Sequence, residues 1–342
     1  MSLLALPTSG PESAANPSKP RSLLLGRVPH PEFVLQRGPY SNRPEILSLE
    51  LLRGCAHRCA FCPARAVSDH PGDEAIYLYD GLAQRLAVEL TARKQKPEAV
   101  IVGASTDPFQ RVSEVVAETL AVVATLARHQ VPAWLTTRGS ISPETIEELA
   151  QHRDWLRITV SLASADAAIQ NAVESGASSV EDRLHLISQL RFNEIPVEVS
   201  IDPLLANVTD SKDQLQAILE ALAERGVRQV SAGYLVLRPG VREQIEREWA
   251  EHTWLEPLLS AYADGPMLRD GGQISKFLHK SKRQRGYALL MSLAANYGIS
   301  VRVNGIDNPD FQPARSAQHS HSRPESLQQT FRRSIRPDAI GA

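Results

Sequence analysis

Short apolar runs alternate with longer amphipathic segments through the middle of the chain, and this alternation constrains the fold more than any other feature. Runs of this length, rich in Val, Ile or Leu, are typical of strands buried on both faces of a parallel sheet. Six units of strand and helix in series predict right-handed crossovers and a sheet that curves towards a barrel. We therefore predict an α/β fold, a partial (β/α)6 barrel of the TIM-like kind. The six runs lie at 46–52, 99–102, 133–136, 156–162, 197–201 and 229–236.

Helix signals and composition divide the chain into four parts. Ser142 and Pro143 predict a helix start, Ser178 and Glu181 predict a capping box, and Gly226 predicts a helix end. The predicted parts are an irregular Pro-rich leader at 1–45, the core at 46–240, a C-terminal helical extension at 241–307 and a flexible tail at 308–342. Within the extension we predict helices near 243–250 and 275–295 and a short strand at 300–303.

The cysteine count narrows the chemistry. The chain has three cysteines in 342 residues, and all three, Cys55, Cys59 and Cys62, lie in one short segment. Three clustered thiols with no partner elsewhere cannot form an intramolecular disulfide framework, and they favour a reducing, cytoplasmic setting. The sequence has no apolar run of eighteen residues and no basic region before its first apolar residues, so it predicts neither a membrane span nor a secretory signal.

The spacing of the cysteines indicates a metal centre directly after the first predicted strand. Thiolates spaced C-x-x-x-C-x-x-C can each bind one iron of a cubane cluster, and the fourth iron then has no cysteine. An open coordination position is typical of catalytic rather than structural metal sites. The alternatives are a structural zinc ion, for which His57 or His70 would have to supply a fourth ligand, and three core cysteines that bind no metal.

The segment from Cys55 to Cys62, with Phe61 before the last cysteine, resembles the radical S-adenosylmethionine (radical SAM) superfamily. The resemblance extends over about 46–237 and implies a 4Fe-4S cluster held by Cys55, Cys59 and Cys62, with S-adenosylmethionine as the second cofactor. It also implies reductive cleavage of that cofactor to a 5′-deoxyadenosyl radical, which abstracts hydrogen from a substrate. A reductant such as flavodoxin or ferredoxin would be a partner.

Later segments resemble the spore photoproduct lyase-like branch of this superfamily. They are the stretch 103–110, Thr137 with Arg138, the stretch 160–162 and the stretch 195–197. Carried over position by position, the resemblance assigns cofactor contacts to Gly103, Thr106, Asp107, Arg138 and Ser161. Arg138 stands where a lysine is common, and its planar guanidinium could bind the methionine carboxylate.

One position departs from that branch. Photoproduct lyases return a hydrogen atom from a cysteine just before the Thr/Ser-Asp pair, and this chain has Ser105 there, whose O–H bond is too strong for the task. The sequence therefore names no hydrogen donor and no catalytic residue, unless a tyrosine serves. The tyrosines considered are Tyr40, Tyr77, Tyr79 and Tyr234.

Two alternative functions stay open. The protein could be a nucleic-acid repair or modification lyase of the photoproduct lyase type, or a non-catalytic, zinc-stabilised binding protein. Nucleic-acid binding would use a basic run with an interleaved aromatic, although such a run is more often a solvated helix face. The 37 Lys and Arg are balanced by 39 Asp and Glu, so any such surface is local. The run contains Lys276, Phe277, Lys280, Lys282, Arg283 and Arg285.

Overall fold

The computed structural model describes residues 23–311 except 31, 39–42, 271–272 and 306. The strands are β1 (Leu24–Val28), β2 (Gln36–Arg37), β3 (Ile46–Leu49), β4 (Leu52–Arg53), β5 (Ala75–Tyr79), β6 (Ala99–Val102), β7 (Ala133–Thr137), β8 (Leu156–Ser161), β9 (Val197–Leu204), β10 (Gln229–Tyr234), β11 (Met267–Asp270), β12 (Gln273–Lys276) and β13 (Ser300–Val303). The helices are α1 (Leu82–Ala92), α2 (Ser113–Arg128), α3 (Pro143–Ala150), α4 (Ala167–Val173), α5 (Val180–Phe192), α6 (Lys212–Glu224), α7 (Val241–Glu248), α8 (Leu255–Ala261) and α9 (Lys280–Ala295).

The main sheet has eight strands in the order β13-β10-β9-β8-β7-β6-β3-β2. Its six central strands, β3 and β6 to β10, are parallel, and each lies beside the next one along the chain. This order places every crossover helix on one face, as in a barrel. The antiparallel β2 and the parallel β13 form the two edges. The predicted partial barrel is confirmed.

Side chains of the central strands separate an apolar outer face from a polar inner face. In β8, Leu156, Ile158 and Val160 are fully buried, whereas the intervening Arg157 and Thr159 are only partly buried. Because successive strand residues point to opposite faces, the apolar set packs on one face and the polar set lies on the other. The inner face is therefore polar, unlike the filled interior of a complete barrel.

The helix signals in the sequence fall close to the observed boundaries. Ser142 caps α3, and its hydroxyl accepts a hydrogen bond from the Thr145 N–H. Gly226 follows α6 in the left-handed conformation. The capping box of α5 consists of Ser179 and Asp182, so the predicted Ser178 and Glu181 are wrong by one residue. Both pairs have the same spacing, so the pattern alone fits either.

Three segments differ from the sequence-based expectation. The predicted run at 46–52 is two strands, because the chain leaves the main sheet after Leu49 and β4 pairs with β5 in a second sheet, β1-β5-β4. That second sheet includes β1, which lies in the leader that was predicted to be irregular. The helix predicted at 275–295 begins at Lys280, since Gln273–Lys276 is a strand of the β11-β12 hairpin.

The C-terminal extension is therefore not only helical, and its β13 belongs to the main sheet. The leader up to 22 and the predicted tail from 312 onward lie outside the described residues. In the part of the chain that is described, no helix is long and apolar enough to cross a bilayer.

Candidate functional site

All three cysteines line one pocket at the carboxyl ends of the parallel strands. We call it the cysteine pocket, and its cavity volume is about 240 Å³. In parallel βα architectures the loops that follow the strands converge at this end, so side chains there are free of the core. The other lining residues used below are Thr106, Arg138, Asp202, Tyr234, Arg238 and Asp307.

The segment 55–62, the cysteine loop, is fixed from the β6 side by two contacts. The Ala56 N–H donates to the side-chain oxygen of Gln110 over 2.6 Å. The His57 ring nitrogen Nδ1 lies 3.2 Å from the Asp107 carboxylate, and both side chains are almost fully buried. These contacts tie the first half of the loop to the segment after β6.

The second half of the loop is fixed through its backbone carbonyls. Arg65 donates to the carbonyls of Arg58 and Cys59 at 3.1 and 3.0 Å, and Gln244 in α7 donates to the Ala60 carbonyl at 2.6 Å. Arg65 is itself paired with Glu248 of α7 at 2.9 Å. Because the loop carbonyls are bonded outward, the loop conformation is set without using the thiols.

Gly176 gives the loop its closest backbone support. Its N–H donates to the His57 carbonyl at 2.9 Å, and a methyl group at Gly176 would overlap the Ala56 carbonyl oxygen. We predict that Gly176→Ala displaces the loop, costs about 1–3 kcal/mol of stability and lowers the iron content of protein purified without oxygen. Gly305→Ala is the matched control, because a methyl group there would lie more than 4 Å from the other described residues that are not its chain neighbours. Equal iron content in both variants would contradict this role.

Burial raises the pKa values of two of the thiols, Cys55 and Cys59. It raises the pKa of Cys55 to about 12, and the charge of Asp107 acts in the same direction. It also raises the pKa of Cys59 well above its usual range, with Glu174 contributing. Without a positive partner these thiols are neutral, whereas a bound metal deprotonates a coordinating thiol outright. The donor set is thus chemically suited to a cationic metal centre.

Three of the predicted cofactor-binding residues, Gly103, Thr106 and Asp107, follow β6, and each makes different contacts. Gly103 has a φ of +72°, and a methyl group there would lie 2.7 Å from the Thr106 carbonyl, so the turn requires glycine. The Thr106 hydroxyl lines the pocket and donates to Glu50 over 3.3 Å. Burial raises the pKa of Glu50 to about 7.

Asp107 lines the pocket, but its oxygens are already bonded. They accept hydrogen bonds from the Phe109 and Arg138 N–H groups and from the Thr137 hydroxyl, at 2.8, 2.6 and 2.9 Å. Although burial opposes ionisation, the charge of His57 and these hydrogen bonds lower the pKa of Asp107. Asp107 therefore joins the cysteine loop to the turn that carries Arg138.

Arg138 belongs to a buried network that the sequence pattern did not indicate. Its Nη1 lies 3.3 Å from Glu174 and donates to the Asp202 carbonyl over 3.2 Å. Its guanidinium lies over the ring of Phe61 in the cysteine loop, 5.1 Å from the centroid. Glu174 also pairs with Arg183 at 2.6 Å, and both of those side chains are fully buried. The network fixes Arg138 at the wall of the pocket.

Ser161 does not line the cysteine pocket. It is buried at the end of β8, and its carbonyl accepts a hydrogen bond from Arg183. It lines a second cavity, the interior cavity, of about 460 Å³ on the polar inner face of the sheet, whose other lining residues include Arg157, Glu198 and Arg302. The structure therefore does not bring Ser161 to the cysteine pocket with the other predicted positions.

Three pocket residues were missed from the sequence. Asp202 directly follows a predicted strand, a position that could have been used as a signal, whereas Arg238 and Asp307 lie in segments without a pattern. Arg238 pairs with Asp270 of β11 at 2.6 Å and with Asp307 at 3.4 Å. Burial raises the pKa of Asp307 to about 7, and the charge of Asp202 contributes.

Of the residues considered as hydrogen donors from the sequence, only some line the cysteine pocket. Ser105 and Tyr234 both line the cysteine pocket. The Tyr234 hydroxyl donates to Asp210 over 2.9 Å. Tyr79 lines a neighbouring cavity on the other side of the cysteine loop, Tyr77 lies in β5 against Gly26, and Tyr40 is outside the described residues.

The basic run is largely bonded within the chain. Arg283 is buried and pairs with Asp310 at 2.6 Å, Lys282 pairs with Asp264 at 2.7 Å, and Lys280 donates to the Asp310 carbonyl. Lys276 donates to the Ala263 carbonyl. These cations hold the segment around 310 and the turn before β11, and Arg285 is exposed.

Comparison with curated proteins finds three mycobacterial relatives of equal similarity. Two of them are uncharacterised proteins of Mycobacterium tuberculosis (Rv2578c) and Mycobacterium bovis (Mb2609c), each 30% identical to this chain over 199 residues. The alignment covers 56% of this chain and 58% of the length of each relative.

Comparison with solved structures finds spore photoproduct lyase, both as a cysteine-to-serine mutant and in complex with a dinucleoside spore photoproduct. Each superposes with a TM-score of 0.65 over 82% of both chains at 12% identity, which shows a shared fold.

The radical SAM superfamily model matches residues 49–213, the part of the chain that holds the cysteine loop and the strands around it. Members of this superfamily are enzymes that use a 4Fe-4S cluster and S-adenosylmethionine. The chain carries a radical SAM domain over residues 49–213.

Proposed function

We propose that the chain binds a 4Fe-4S cluster through Cys55, Cys59 and Cys62, cleaves S-adenosylmethionine reductively and abstracts hydrogen from a substrate held in the barrel. The observation that carries this proposal is the position of the three cysteines. They are the only cysteines in the chain, and all of them line one pocket at the carboxyl ends of the parallel strands.

The donor set fits a cluster better than a zinc ion. Among the described residues, no three His, Cys, Asp or Glu side chains are placed to hold a single metal ion together. Cluster ligands have no need to converge on one point, because each thiolate binds a different iron. When bound, the cluster supplies the electron that breaks the S–C5′ bond of S-adenosylmethionine, giving methionine and the radical that takes hydrogen from the substrate.

Arg138 is the residue best placed to hold the methionine carboxylate. Glu174 and the Asp202 carbonyl occupy its Nη1, and its Nε and Nη2 make no hydrogen bond to the described residues. Two N–H groups on one edge of a guanidinium match a carboxylate in bidentate geometry. Ion pairing raises the pKa of Arg138 despite its burial, so the group stays charged.

A variant of Arg138 gives a quantitative test of this role. We predict that Arg138→Lys weakens S-adenosylmethionine binding about tenfold to a hundredfold, because a hydrogen bond to a charged group contributes about 1.5–3 kcal/mol. Equilibrium dialysis of the anaerobic, oxidised protein measures the affinity. Arg302→Lys is the control, since Arg302 lines only the interior cavity. Equal affinities in the two variants would remove Arg138 from the cofactor site.

The electron would come from a flavodoxin or a ferredoxin, and the free thiols suit a reducing compartment such as the cytoplasm. No described cysteine remains to return a hydrogen atom, and Ser105 occupies the place where the photoproduct lyases have one. Most cations of the basic run are also bonded within the chain. We therefore propose the radical chemistry without a nucleic-acid substrate, and make repair of nucleic acid an outcome to be tested.

The proposal is tested by product formation. Protein purified without oxygen should contain about four iron and four sulfide ions per chain, and dithionite with S-adenosylmethionine should yield 5′-deoxyadenosine and methionine in equal amounts. A fully reconstituted, reduced sample that forms neither product would sink the proposal. One bound zinc and no visible absorption would favour the zinc-stabilised binding protein instead.

A further inference from the structure

Asp202 stands at the boundary between the cysteine pocket and the interior cavity. Its side chain lines both, and Thr136 and Arg138 are the other two residues that do so. Asp202 lies in β9, and the strand alternation that places Glu198 and Ser200 on the inner face also places Asp202 there. A ligand that reaches from the interior cavity towards the cofactor must pass this carboxylate.

The Asp202 carboxylate makes no hydrogen bond to the described residues, although its backbone carbonyl accepts one from Arg138. Burial raises the pKa of Asp202, while the charges of Arg138 and Arg238 lower it and that of Glu174 raises it. Asp307 is an acidic neighbour of Asp202. The two carboxylates approach each other over Gly233, where a methyl group would lie 2.6 Å from Asp307 and 3.6 Å from Asp202.

The charges around Asp202 do not balance. Arg183 is paired with Glu174, and Arg238 is paired with both Asp270 and Asp307. Arg138 forms an ion pair with Glu174, and its positive charge also acts on Asp202. Three arginines thus face four carboxylates, and the carboxylate without a hydrogen bond is Asp202. Asp202 is half-buried. A carboxylate in this condition is stabilised if it takes up a proton or meets a cationic or donor group from a ligand.

Arg138 separates Asp202 from the cysteine loop. One side of its guanidinium bonds to the backbone of Asp202, and the guanidinium lies over Phe61 of the loop. A group bound at Asp202 can therefore be reached from the interior cavity without displacing the cysteine loop.

We propose that the Asp202 carboxylate binds a cationic N–H group of the substrate, an ammonium, amidinium or guanidinium, at the boundary of the two cavities. The bound cation supplies the charge that this end of the barrel lacks, and it directs a neighbouring C–H bond towards the cysteine pocket. The binding site is independent of the cluster, whereas its role in orienting a C–H bond rests on the proposed function.

Small probes test the site without knowledge of the substrate. Saturation-transfer NMR on the reconstituted protein with bound S-adenosylmethionine measures the affinity of ethylguanidinium and propylammonium, with propionate as the anionic match. We expect both cations to bind, propionate not to bind, and Asp202→Asn to weaken the cations at least about tenfold. Glu198→Gln is the control in the same cavity, because Glu198 is already paired with Arg157 and Arg302 at 2.9 and 3.1 Å. No cation binding to the wild type, or equal binding to the Asp202→Asn variant, overturns the proposal.

The folding stability of Asp202→Asn separates a ligand site from a structural carboxylate. Because none of the described groups is hydrogen-bonded to this carboxylate, we expect the thermal midpoint at neutral pH to stay unchanged or to rise. A marked fall would show that the carboxylate serves the fold, and would overturn the proposal.

Two further outcomes identify the source of the cation. Asp202→Asn should leave the affinity for S-adenosylmethionine within about twofold of the wild type. A large loss of that affinity, with the probes unaffected, would assign Asp202 to the amino group of the cofactor and contradict a substrate site. If the wild type forms no 5′-deoxyadenosine while the probes still depend on Asp202, the cation site stands and the proposed function fails.

Discussion

Replacing Cys59 with alanine is expected to abolish both the cluster and 5′-deoxyadenosine formation. The chain has three cysteines and no fourth to take over, so the variant leaves two irons without a protein thiolate. The loss should exceed the roughly 10- to 100-fold effect of removing an outer-sphere partner of a metal. Cys55→Ala and Cys62→Ala should behave in the same way. Iron and sulfide analysis, together with the yield of 5′-deoxyadenosine, measures the effect.

Ser105→Ala is the matched control for the cysteine variants, because Ser105 lines the same pocket without a thiolate. It should keep full iron content. If Cys59→Ala retains four irons per chain and forms 5′-deoxyadenosine at the rate of the control, the assignment of the cysteines as ligands is wrong.

The second large effect is expected at Arg183, which does not touch the pocket. Arg183→Met removes one partner of Glu174 and leaves this fully buried carboxylate with Arg138 and the Gln170 amide. It also removes hydrogen bonds to the Ser161 and Ser178 carbonyls. Breaking one side of a buried ion pair costs about 3–5 kcal/mol. Urea denaturation of the apoprotein measures this loss. S-adenosylmethionine affinity should fall as well, because Glu174, the partner of Arg138, is no longer fixed by Arg183.

Arg242→Ala provides the comparison for Arg183. Arg242 forms an exposed pair with Glu246 at 2.8 Å, and removal of such a pair costs about 0–1 kcal/mol. Similar denaturation midpoints for the two variants would mean that the network of Arg138, Glu174 and Arg183 contributes little to the fold.

The order of the strands and the place of the cysteines could be predicted from the sequence because both depend on local patterns. Six apolar runs of strand length predict six parallel strands, and the spacing of the cysteines is itself a motif. The strand at 300–303 was predicted and is β13, but its position at the edge of the main sheet was not. β2 was not predicted at all, because it owes its place to pairing with β3 rather than to its own composition.

The charged residues of the site were missed for a different reason. Arg183 lies in α5 beside Glu181 and Asp182, both of which are at least partly exposed, so the sequence suggests an ordinary solvated helix face. Its burial becomes apparent only when Glu174, from the preceding segment, is placed against it. The basic run shows the same limit, since Arg283 has the sequence character of a surface residue and is buried against Asp310.

The central claim is that three cysteines hold a cluster with one iron open to the cofactor. Electron–nuclear double resonance on the dithionite-reduced protein, with S-adenosylmethionine carrying ¹⁵N in its amino group, tests it most directly. The predicted result is a hyperfine coupling between the cluster spin and the labelled nitrogen, with a change in the electron paramagnetic resonance spectrum on cofactor addition. A spectrum that is identical with and without saturating S-adenosylmethionine, and shows no coupling to the label, would contradict the account.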